Sequence, residues 1–420
     1  MEKREYIKSL EQVKIVLGNG FDLHCGLHTT YSDFFKFYFK KSAYINWLYK
    51  YYTDNGQVAF DFTDPNMKNI NTWDIFFVLN DAGIKYEGSE WCDIERLIHS
   101  SLIPYNEYSK ADVISRAMRS SINWNKINSY IFGDIIADNH LDRFVVEFVK
   151  SRAEFLNQTL NNFYGFLLSE LKIFEMNFGQ FIFRQTHNRH LESFNYGSIF
   201  LNNNYLNDAA FTLGELCDEN NIVAIDSFNY SIIEKSPYKE KLHNINGFYE
   251  NPIFGIDTEF LPSDERYIFT KTSRRIDFDM SDDFYDSKVD FKNVIIYGHS
   301  LNQADYSYFF PLFDKLDLLN SIASGVLVFA YTIYDEAKES KIKSALRLSI
   351  SKIIFEYAKS KGVSDPERLL DKMSTQRRII LYHINPINRL GRYKSHFDDE
   401  WEKIDHEIEI FNETHKDSGK

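Results

Sequence analysis

Residues 13–32, with the sequence VKIVLGNGFDLHCGLHTTYS, constrain the fold more than any other segment of this chain. An apolar run rich in β-branched residues at 13–17 predicts a buried strand. Gly18 and Gly20 follow it in a tight turn, and Thr29 marks the start of a helix. Because unpaired N–H groups at a helix start bind phosphate, this unit is a candidate nucleotide site. Its spacing is not GxGxxG, and a purely structural connection between strand and helix fits the residues equally well.

Length and charge limit the class of protein. The chain has 420 residues, enough for one large or two ordinary domains with a substantial core. Its 48 basic and 61 acidic residues give a net charge of −13. This acidic balance argues against general binding to nucleic acids or to anionic membranes, because both need a basic surface.

The three cysteines, Cys25, Cys92 and Cys217, lie far apart and include no CxxC pair. They predict neither a disulfide framework nor a four-cysteine zinc site. The charged N-terminal segment has no apolar signal region, and no apolar run reaches membrane-spanning length. We therefore expect a cytoplasmic protein that has no membrane partner.

Short apolar runs alternate with helical patterns in the second half of the chain. These runs, each predicted as a strand, lie at 181–183, 222–225, 294–297, 326–330 and 379–382. Alternation of strands and helices is typical of a parallel sheet, and the first strand at 13–17 belongs with them. The predicted fold class is α/β, with a Rossmann-like, mostly parallel sheet.

A long helical block separates the first strand from the later ones. Its best helical pattern runs over residues 141–174. We predict that this block is an insertion into one Rossmann-like domain. The predicted organisation is a first βα unit at 1–60, a helical insertion at 61–176, the remainder of the Rossmann-like domain at 177–395 and a charged tail at 396–420.

Polar residues follow four of the predicted strands. They lie at 18–22, 226–231, 298–301 and 331–335. Because ligands of open α/β sheets bind beyond the carboxyl ends of the strands, these residues predict one shared cleft. His243 lies in a glycine-punctuated segment that could face the same cleft, although a single histidine is more often structural.

Five motifs occur in this order along the chain: VLGNGFDLHCGLHTTYSDFF from residue 16, WCDIE at 91–95, SFNYS at 227–231, LHNINGF with PIFGID at 242–257, and IIYGHSLNQADYSYFFPLF at 295–313. Together they resemble the AbiH family of bacterial proteins, named for abortive infection of bacteriophage. They also resemble, more distantly, the SIR2-like domains of antiphage systems, several of which cleave NAD+. The AbiH resemblance implies an antiphage effector. Only the more distant SIR2-like resemblance implies its chemistry, which is hydrolysis of the nicotinamide–ribose bond of NAD+ by an NAD+ glycohydrolase.

The SIR2-like resemblance implies two catalytic residues. Asn229 would position the ribose or the attacking water, and His243 would accept a proton. NAD+ would be the substrate, and neither a cofactor nor a metal ion is expected. The residues implied in binding NAD+ are those of the first turn and of the turn near residue 298: Gly18, Asn19, Gly20, Phe21, Asp22, Gly298 and Ser300.

This sequence departs from the SIR2 pattern at two positions. Asn19 replaces a small residue in the turn, and Asn244 follows His243 where glycine is usual. The zinc cysteines of deacetylase sirtuins are absent from the chain, which argues against an acyl-lysine deacetylase.

Structural roles remain open for several of these residues. Asn229 could close an Asx turn, Asp22 could order its own turn, and Ser300 could N-cap the next helix. The basic residues around Lys271 and Arg274 could be a solvated loop or could bind an anionic substrate.

A second function class also remains open, namely a non-catalytic nucleotide sensor whose helical block binds a partner. For the NAD+-cleaving effector we expect a phage-derived trigger, because a constantly active enzyme would harm its host, and a homo-oligomer, because SIR2-like defence enzymes often assemble.

Overall fold

The computed structural model describes residues 2–40, 70–81, 94–102, 148–158, 162–189, 199–256, 260–276, 289–320, 324–389, 401 and 403. The chain divides into two compact units. The sheet unit comprises Met1–Thr29, Ile182–Glu250 and Asp279–Glu400, and the helical unit comprises Thr30–Phe181, Asn251–Phe278 and Trp401–Lys420. The sequence-based division at residues 60, 176 and 395 stays a prediction.

Eight strands are present in the described part of the chain. In chain order they are β1 (Val13–Leu17), β2 (His187–Arg189), β3 (Ile199–Leu201), β4 (Ile222–Ser227), β5 (Leu242–Asn244), β6 (Asn293–Tyr297), β7 (Leu327–Thr332) and β8 (Ile379–Ile384). Strands β2 and β3 form a separate antiparallel pair. The other six form one parallel sheet in the order β5-β4-β1-β6-β7-β8. Numbered along the chain, this order is 3-2-1-4-5-6, which is the strand order of the Rossmann fold.

The α-helices of the described residues are α1 (Lys3–Lys8), α2 (Asn19–His24), α3 (Tyr31–Lys40), α4 (Thr72–Asp81), α5 (Ile94–Leu102), α6 (Phe163–Thr186), α7 (Asn203–Leu216), α8 (Lys271–Ile276), α9 (Tyr306–Lys315), α10 (Glu339–Ser360) and α11 (Glu367–Thr375). Residues 148–155 are also helical. No helix of the described segments is long and apolar enough to cross a membrane.

Helices cover both faces of the six-stranded sheet. One face packs against α1, α2 and α7, and the other packs against α9, α10 and α11. All five residues of β1 are buried, as are all five of β6. Strands buried on both faces are continuous apolar runs, which is why these strands are recognisable in the sequence. The predicted α/β, Rossmann-like fold is confirmed.

Two secondary-structure predictions were wrong. Residues 181–183, predicted as a strand, lie inside α6, because a run of three apolar residues fits a buried helix as well as a strand. The single helix predicted over 141–174 is interrupted after residue 155, and Asn157 has a positive φ of 53°. Residues 141–147 of that prediction lie outside the described residues.

Aromatic contacts, a helix cap and buried ion pairs of Lys271 and Arg274 stabilise the helical unit. The ring of Phe34 packs edge-on against Phe174 and Phe178. Helix α3 begins with a capping box, in which Thr30 and Asp33 each bind the other's backbone amide.

Two of the basic residues singled out in the sequence are ion-pair partners in the helical unit. Lys271 Nζ lies 2.7 Å from Glu95 Oε1, and Arg274 forms an ion pair with Glu175. Both basic side chains are buried. Lys271 and Arg274 are therefore structural partners inside the helical unit, and the prediction of a solvated loop is wrong for them.

Candidate functional site

The turn after β1, which consists of the N-cap Gly18 and the first residues of α2, packs backbone to backbone against the turn after β6. The Gly18 amide donates a 2.9 Å hydrogen bond to the Tyr297 carbonyl, and the Gly20 amide donates one of 2.9 Å to Gly298. A Cβ atom on Gly18 would lie 2.5 Å from His299 Cα, and one on Gly20 would lie 2.7 Å from Gly298 Cα. Glycine is needed at both positions because no side chain fits between the turns.

This contact lies at the point where the strand order reverses, since β1 and β6 are the two central strands. Rossmann folds bind dinucleotides in the crevice at this position. The amides of Gly18 and Gly20 are already bound to the backbone carbonyls described above. The Phe21 amide also has a backbone acceptor, since it donates a 2.9 Å hydrogen bond to the Gly18 carbonyl. The side chain of Asn19 accepts a 2.6 Å bond from Thr29. The phosphate-binding role of this turn stays a prediction.

The side chain of Asn229 joins the turn after β4 to the turn after β1. Its Nδ2 donates a 3.1 Å hydrogen bond to the Gly18 carbonyl, and its backbone amide donates one of 3.1 Å to Ser227 Oγ. The residue is 4% exposed. Asn229 therefore lies at the predicted strand ends, where its amide group fixes the position of the glycine turn.

Asp22 lies beside Asn229 and is buried in a chain of hydroxyl groups. Tyr205 donates a 3.0 Å bond to Ser231 Oγ, which in turn donates one of 2.8 Å to Asp22 Oδ1. Within the described segments, Asp22 Oδ2 has no hydrogen-bond partner. Burial raises the pKa of this carboxyl to about 7, although hydrogen bonds from Ser231 and Asn229 oppose the shift. Near neutral pH the group can therefore donate or accept a proton.

His243 lies next to a buried carboxylate that sequence analysis did not single out as a partner. In the parallel ladder His243 on β5 is paired with Asp226 on β4. Its Nδ1 lies 3.6 Å from Asp226 Oδ1, which is an ion-pair distance and longer than a hydrogen bond. Lys14 Nζ lies 2.5 Å from Asp226 Oδ2, and Tyr308 donates its hydroxyl to the same oxygen.

The charge of Asp226 is well compensated. Burial alone would raise its pKa, but the neighbouring His243, Lys14 and Tyr308 together lower it below its ordinary value. A signal for this cluster was present in the sequence. Lys14 interrupts the apolar run of β1, VKIVL, and Asp226 directly follows the apolar run IVAI and belongs to β4. A charge at such a position needs a partner when it is buried.

The two predicted catalytic side chains belong to different clusters. Neighbouring residues of a strand point to opposite faces of the sheet. The side-chain amide of Asn244 donates hydrogen bonds of 2.6 and 3.0 Å to the carbonyls of Asn229 and Ser231. The ring of His243, the preceding residue, therefore faces the opposite side of the sheet. The structure brings Asn229 together with Gly18 and Asp22, and it places His243 beside Asp226.

Gly298 and Ser300 lie at the end of β6. Gly298 has a φ of +68° and contacts Gly20, as described above. Ser300 is exposed, and it is not a helix cap, because the residue that precedes α9 is Asp305. The suggested N-cap role of Ser300 is therefore wrong, and its role in binding a ligand stays a prediction.

The sheet unit also contains a cavity of about 1250 Å³ at the carboxyl ends of the outer strands β7 and β8, where Tyr331 and His383 line it. It lies beside α1, α7 and the segment after β8, and its lining includes Arg4, Glu215, Phe211 and Pro386. Arg4 and Glu215 are already paired with each other. None of the residues predicted to bind or cleave NAD+ lines this cavity, although Tyr331 of the predicted strand end at 331–335 does. We place the candidate site at the ends of β1, β4 and β6, because the buried polar groups converge there.

A family model described as bacteriophage abortive infection AbiH matches residues 15–324, which is more than half of the chain. The chain belongs to the AbiH family. The match runs from β1 past α9 and includes both glycine turns, Asn229, Asp226 and His243. Membership supports a role in abortive infection of bacteriophage. No curated protein and no solved structure matches the chain.

Three residues of the AbiH motif WCDIE, Trp91, Cys92 and Asp93, lie outside the described residues. Glu95 of the same motif is the ion-pair partner of Lys271. This motif residue of the AbiH chain therefore has a structural role in the helical unit.

Proposed function

We propose that this AbiH protein is an NAD+ glycohydrolase that depletes the cell of NAD+ during phage infection. The observation that carries the proposal is the hydrogen bond from Asn229 Nδ2 to the Gly18 carbonyl. It joins two polar strand ends at the crevice where a Rossmann fold binds a dinucleotide. Asp22, a buried carboxyl with an open oxygen, lies next to that bond.

The chemistry of NAD+ fits this set of groups. Nicotinamide leaves a cationic pyridinium as a neutral molecule, so the departing nitrogen needs no general acid. One of the two carboxylates that an ordinary glycosidase uses is therefore not needed. The remaining tasks are to hold the ribose, to stabilise a developing oxocarbenium ion and to orient a water.

In this proposal the dinucleotide lies across the carboxyl edge of the sheet and contacts both faces. Asp22 and Asn229 bind ribose hydroxyls on the face covered by α2. His243, on the other face, accepts a proton from a ribose hydroxyl or from water. Gly298 and the exposed Ser300 contact the adenosine side from the end of β6.

A non-catalytic nucleotide sensor is the second candidate function. The observation that favours it is again Asn229, whose side chain is buried and already bound to the Gly18 carbonyl. A group held in this way can shape a binding site without taking part in chemistry. In that case the same crevice would bind NAD+ and release no product.

The test is an assay of nicotinamide release from NAD+ by the purified full-length protein, with and without phage lysate. Asn229→Ala and His243→Ala should each abolish release while retaining the wild-type circular dichroism spectrum. Asn220→Ala and His383→Ala, which change exposed residues, are the matched controls. Full activity of either site variant would overturn the role of that residue.

Further arms separate the two candidate functions and test the partners. Saturable NAD+ binding without nicotinamide release under every condition would select the sensor. Release only in the presence of lysate would support a phage-derived trigger. Light scattering before and after activation tests the homo-oligomer, and a monomer in both states would contradict it.

A further inference from the structure

Lys14, Asp226 and His243 form a row across three neighbouring strands of the sheet. Asp226 on β4 is paired with His243 on β5 and, on its other side, with Val16 on β1. Lys14 lies two residues before Val16 and therefore points to the same face. Tyr308 of α9 approaches this row and donates its hydroxyl to Asp226.

The members of the row differ in exposure. Lys14 is 4% exposed and Asp226 is 1% exposed, whereas 21% of the His243 side chain is exposed. A buried ion pair is expensive to desolvate and is often no more stabilising than apolar residues of the same size. In this protein the Lys14–Asp226 ion pair lies next to His243, which is the member of the row that a substrate can reach. The pair can therefore act on His243.

We propose that Asp226 is a positioning residue that holds His243 in the tautomer protonated at Nδ1. This inference rests on the proposed function only for the use of the histidine as a base. Lys14 and Tyr308 keep Asp226 ionised, and an ionised carboxylate only accepts hydrogen bonds. The nitrogen that faces it must therefore carry the proton, and that nitrogen is Nδ1, 3.6 Å away.

The tautomer determines which nitrogen can act as a base. With the proton on Nδ1, the lone pair lies on Nε2, at the opposite side of the ring. A ribose hydroxyl or water then transfers its proton to Nε2, and the resulting imidazolium is stabilised by Asp226. In this proposal Asp226 remains ionised throughout, and its contact with His243, 3.6 Å in the structure, shortens to a hydrogen bond when the substrate binds.

The first test does not depend on NAD+ cleavage. The protein is labelled with ¹⁵N-histidine, and the two ring nitrogens of His243 are assigned by comparison with His243→Gln. In the neutral ring of the wild type, Nδ1 should show the shift of a protonated nitrogen and Nε2 that of an acceptor. A proton on Nε2 in the wild type would overturn the proposal, and this result requires no variant of Asp226.

The second test compares two carboxylates that have the same kinds of partner. Asp314 is bound by Tyr357 and Lys361, as Asp226 is bound by Tyr308 and Lys14, but it lies on α9 and faces α10. Asp226→Asn should change the His243 tautomer, and Asp314→Asn should not. An unchanged tautomer in a folded Asp226→Asn protein would contradict the positioning role.

The third test uses the enzyme assay and separates this inference from the proposed function. If the protein cleaves NAD+, Asp226→Asn should lower kcat about a hundredfold or more, with little change in KM. Asp314→Asn should retain wild-type kcat. Full activity of Asp226→Asn would overturn the positioning role of Asp226 but would not contradict the proposed glycohydrolase activity. Absence of NAD+ cleavage by the wild type would overturn the proposed glycohydrolase activity. It would not affect the result of the NMR test of the His243 tautomer.

Discussion

The amide of Gly20 donates a 2.9 Å hydrogen bond to the carbonyl of Gly298, which joins the turn after β1 to the turn after β6. A Cβ atom on Gly298 would lie 2.5 Å from the Phe21 nitrogen. The two turns thus form a single structural element at the reversal point of the sheet. A ligand bound here would rest on this element and use the side chains around it.

The close packing of the two turns can be tested by adding a Cβ atom at Gly298. Gly298→Ala should lower the free energy of unfolding because it combines a positive φ with a backbone clash. Gly362→Ala is the matched control, since Gly362 has nearly the same φ of +69° and nothing within 4 Å of a Cβ. The control should cost about 1 kcal/mol. Gly298→Ala should cost about 2 kcal/mol more, measured by chemical unfolding. Equal losses in the two variants would contradict the close packing.

The pH dependence of stability tests the environment of Asp22. Burial raises the pKa of this carboxyl from its ordinary value of 3.8 to about 7 in the folded protein. Between those values the folded state holds a proton that the unfolded chain has released, so stability from this group falls as pH rises. The Asp22→Asn protein has no titrating group at this position, so it does not lose stability in this way as pH rises. Its stability relative to the wild type should therefore rise by about 3 kcal/mol from pH 4.5 to pH 8.

Asp314→Asn is the control for that experiment. Although burial opposes it, Lys361 and Tyr357 lower the pKa of Asp314 below its ordinary value. Asp314 is then ionised in both the folded and the unfolded chain over the same pH range. Its stability difference from the wild type should stay constant from pH 4.5 to pH 8. If Asp22→Asn behaves in the same way, the carboxyl of Asp22 is not buried as described.

The ion pair of Arg274 and Glu175 should be essential to the helical unit. Glu175 accepts from both terminal nitrogens of Arg274 and also from the amide of Phe254. Burial raises the pKa of Glu175 even though Arg274 lowers it. Arg274→Met leaves a buried, uncompensated acid, and we expect a loss of about 3–5 kcal/mol in chemical unfolding.

A second substitution tests the cause of that loss. Arg274→Met with Glu175→Gln removes the charge and keeps an acceptor for Phe254, so it should recover more than about 1 kcal/mol. The exposed pair of Arg368 and Asp365 is the control, and Arg368→Met should cost less than about 1 kcal/mol. Similar losses for Arg274→Met and Arg368→Met would show that burial of the pair is unimportant.

The thiols of Cys25 and Cys217 should be unreactive in the folded protein. Burial raises the pKa of Cys25 well above its ordinary value and that of Cys217 to about 12. Little thiolate is then present at pH 8. In a Cys92→Ser background, a disulfide reagent should label both at least about a hundredfold more slowly than in denaturant. Rapid labelling of the native protein would contradict their burial.

The sequence allowed much of the sheet to be predicted, for a physical reason. Strands β1 and β6 are buried along their whole length, and β4 and β7 are buried along most of theirs, so each contains a largely apolar run. Strand β8 lies at the edge of the sheet and is only partly buried, but its first four residues, IILY, are also apolar. β5 was harder to recognise, because its residues are only LHN and it lies at the edge of the sheet. Phe181 was assigned to a strand because a short apolar run does not distinguish a strand from a buried helix.

Contacts of the candidate site were only partly predictable. Strand order places the ends of β1, β4 and β6 together, so the proximity of Gly18, Asn229 and Gly298 could be inferred. The hydrogen bond from Asn229 to Gly18 and the pairing of Asp226 with His243 depend on register and side-chain direction. A one-residue shift in register would turn His243 to the other face, and no local pattern reports that shift.

We propose that this AbiH protein destroys NAD+ during infection. The most direct measurement is the NAD+ and nicotinamide content of infected cells that express the wild type or His243→Ala at equal levels. We predict that NAD+ falls and nicotinamide rises after infection with the wild type alone. Unchanged NAD+ in cells that the wild type still protects from phage would contradict the claim.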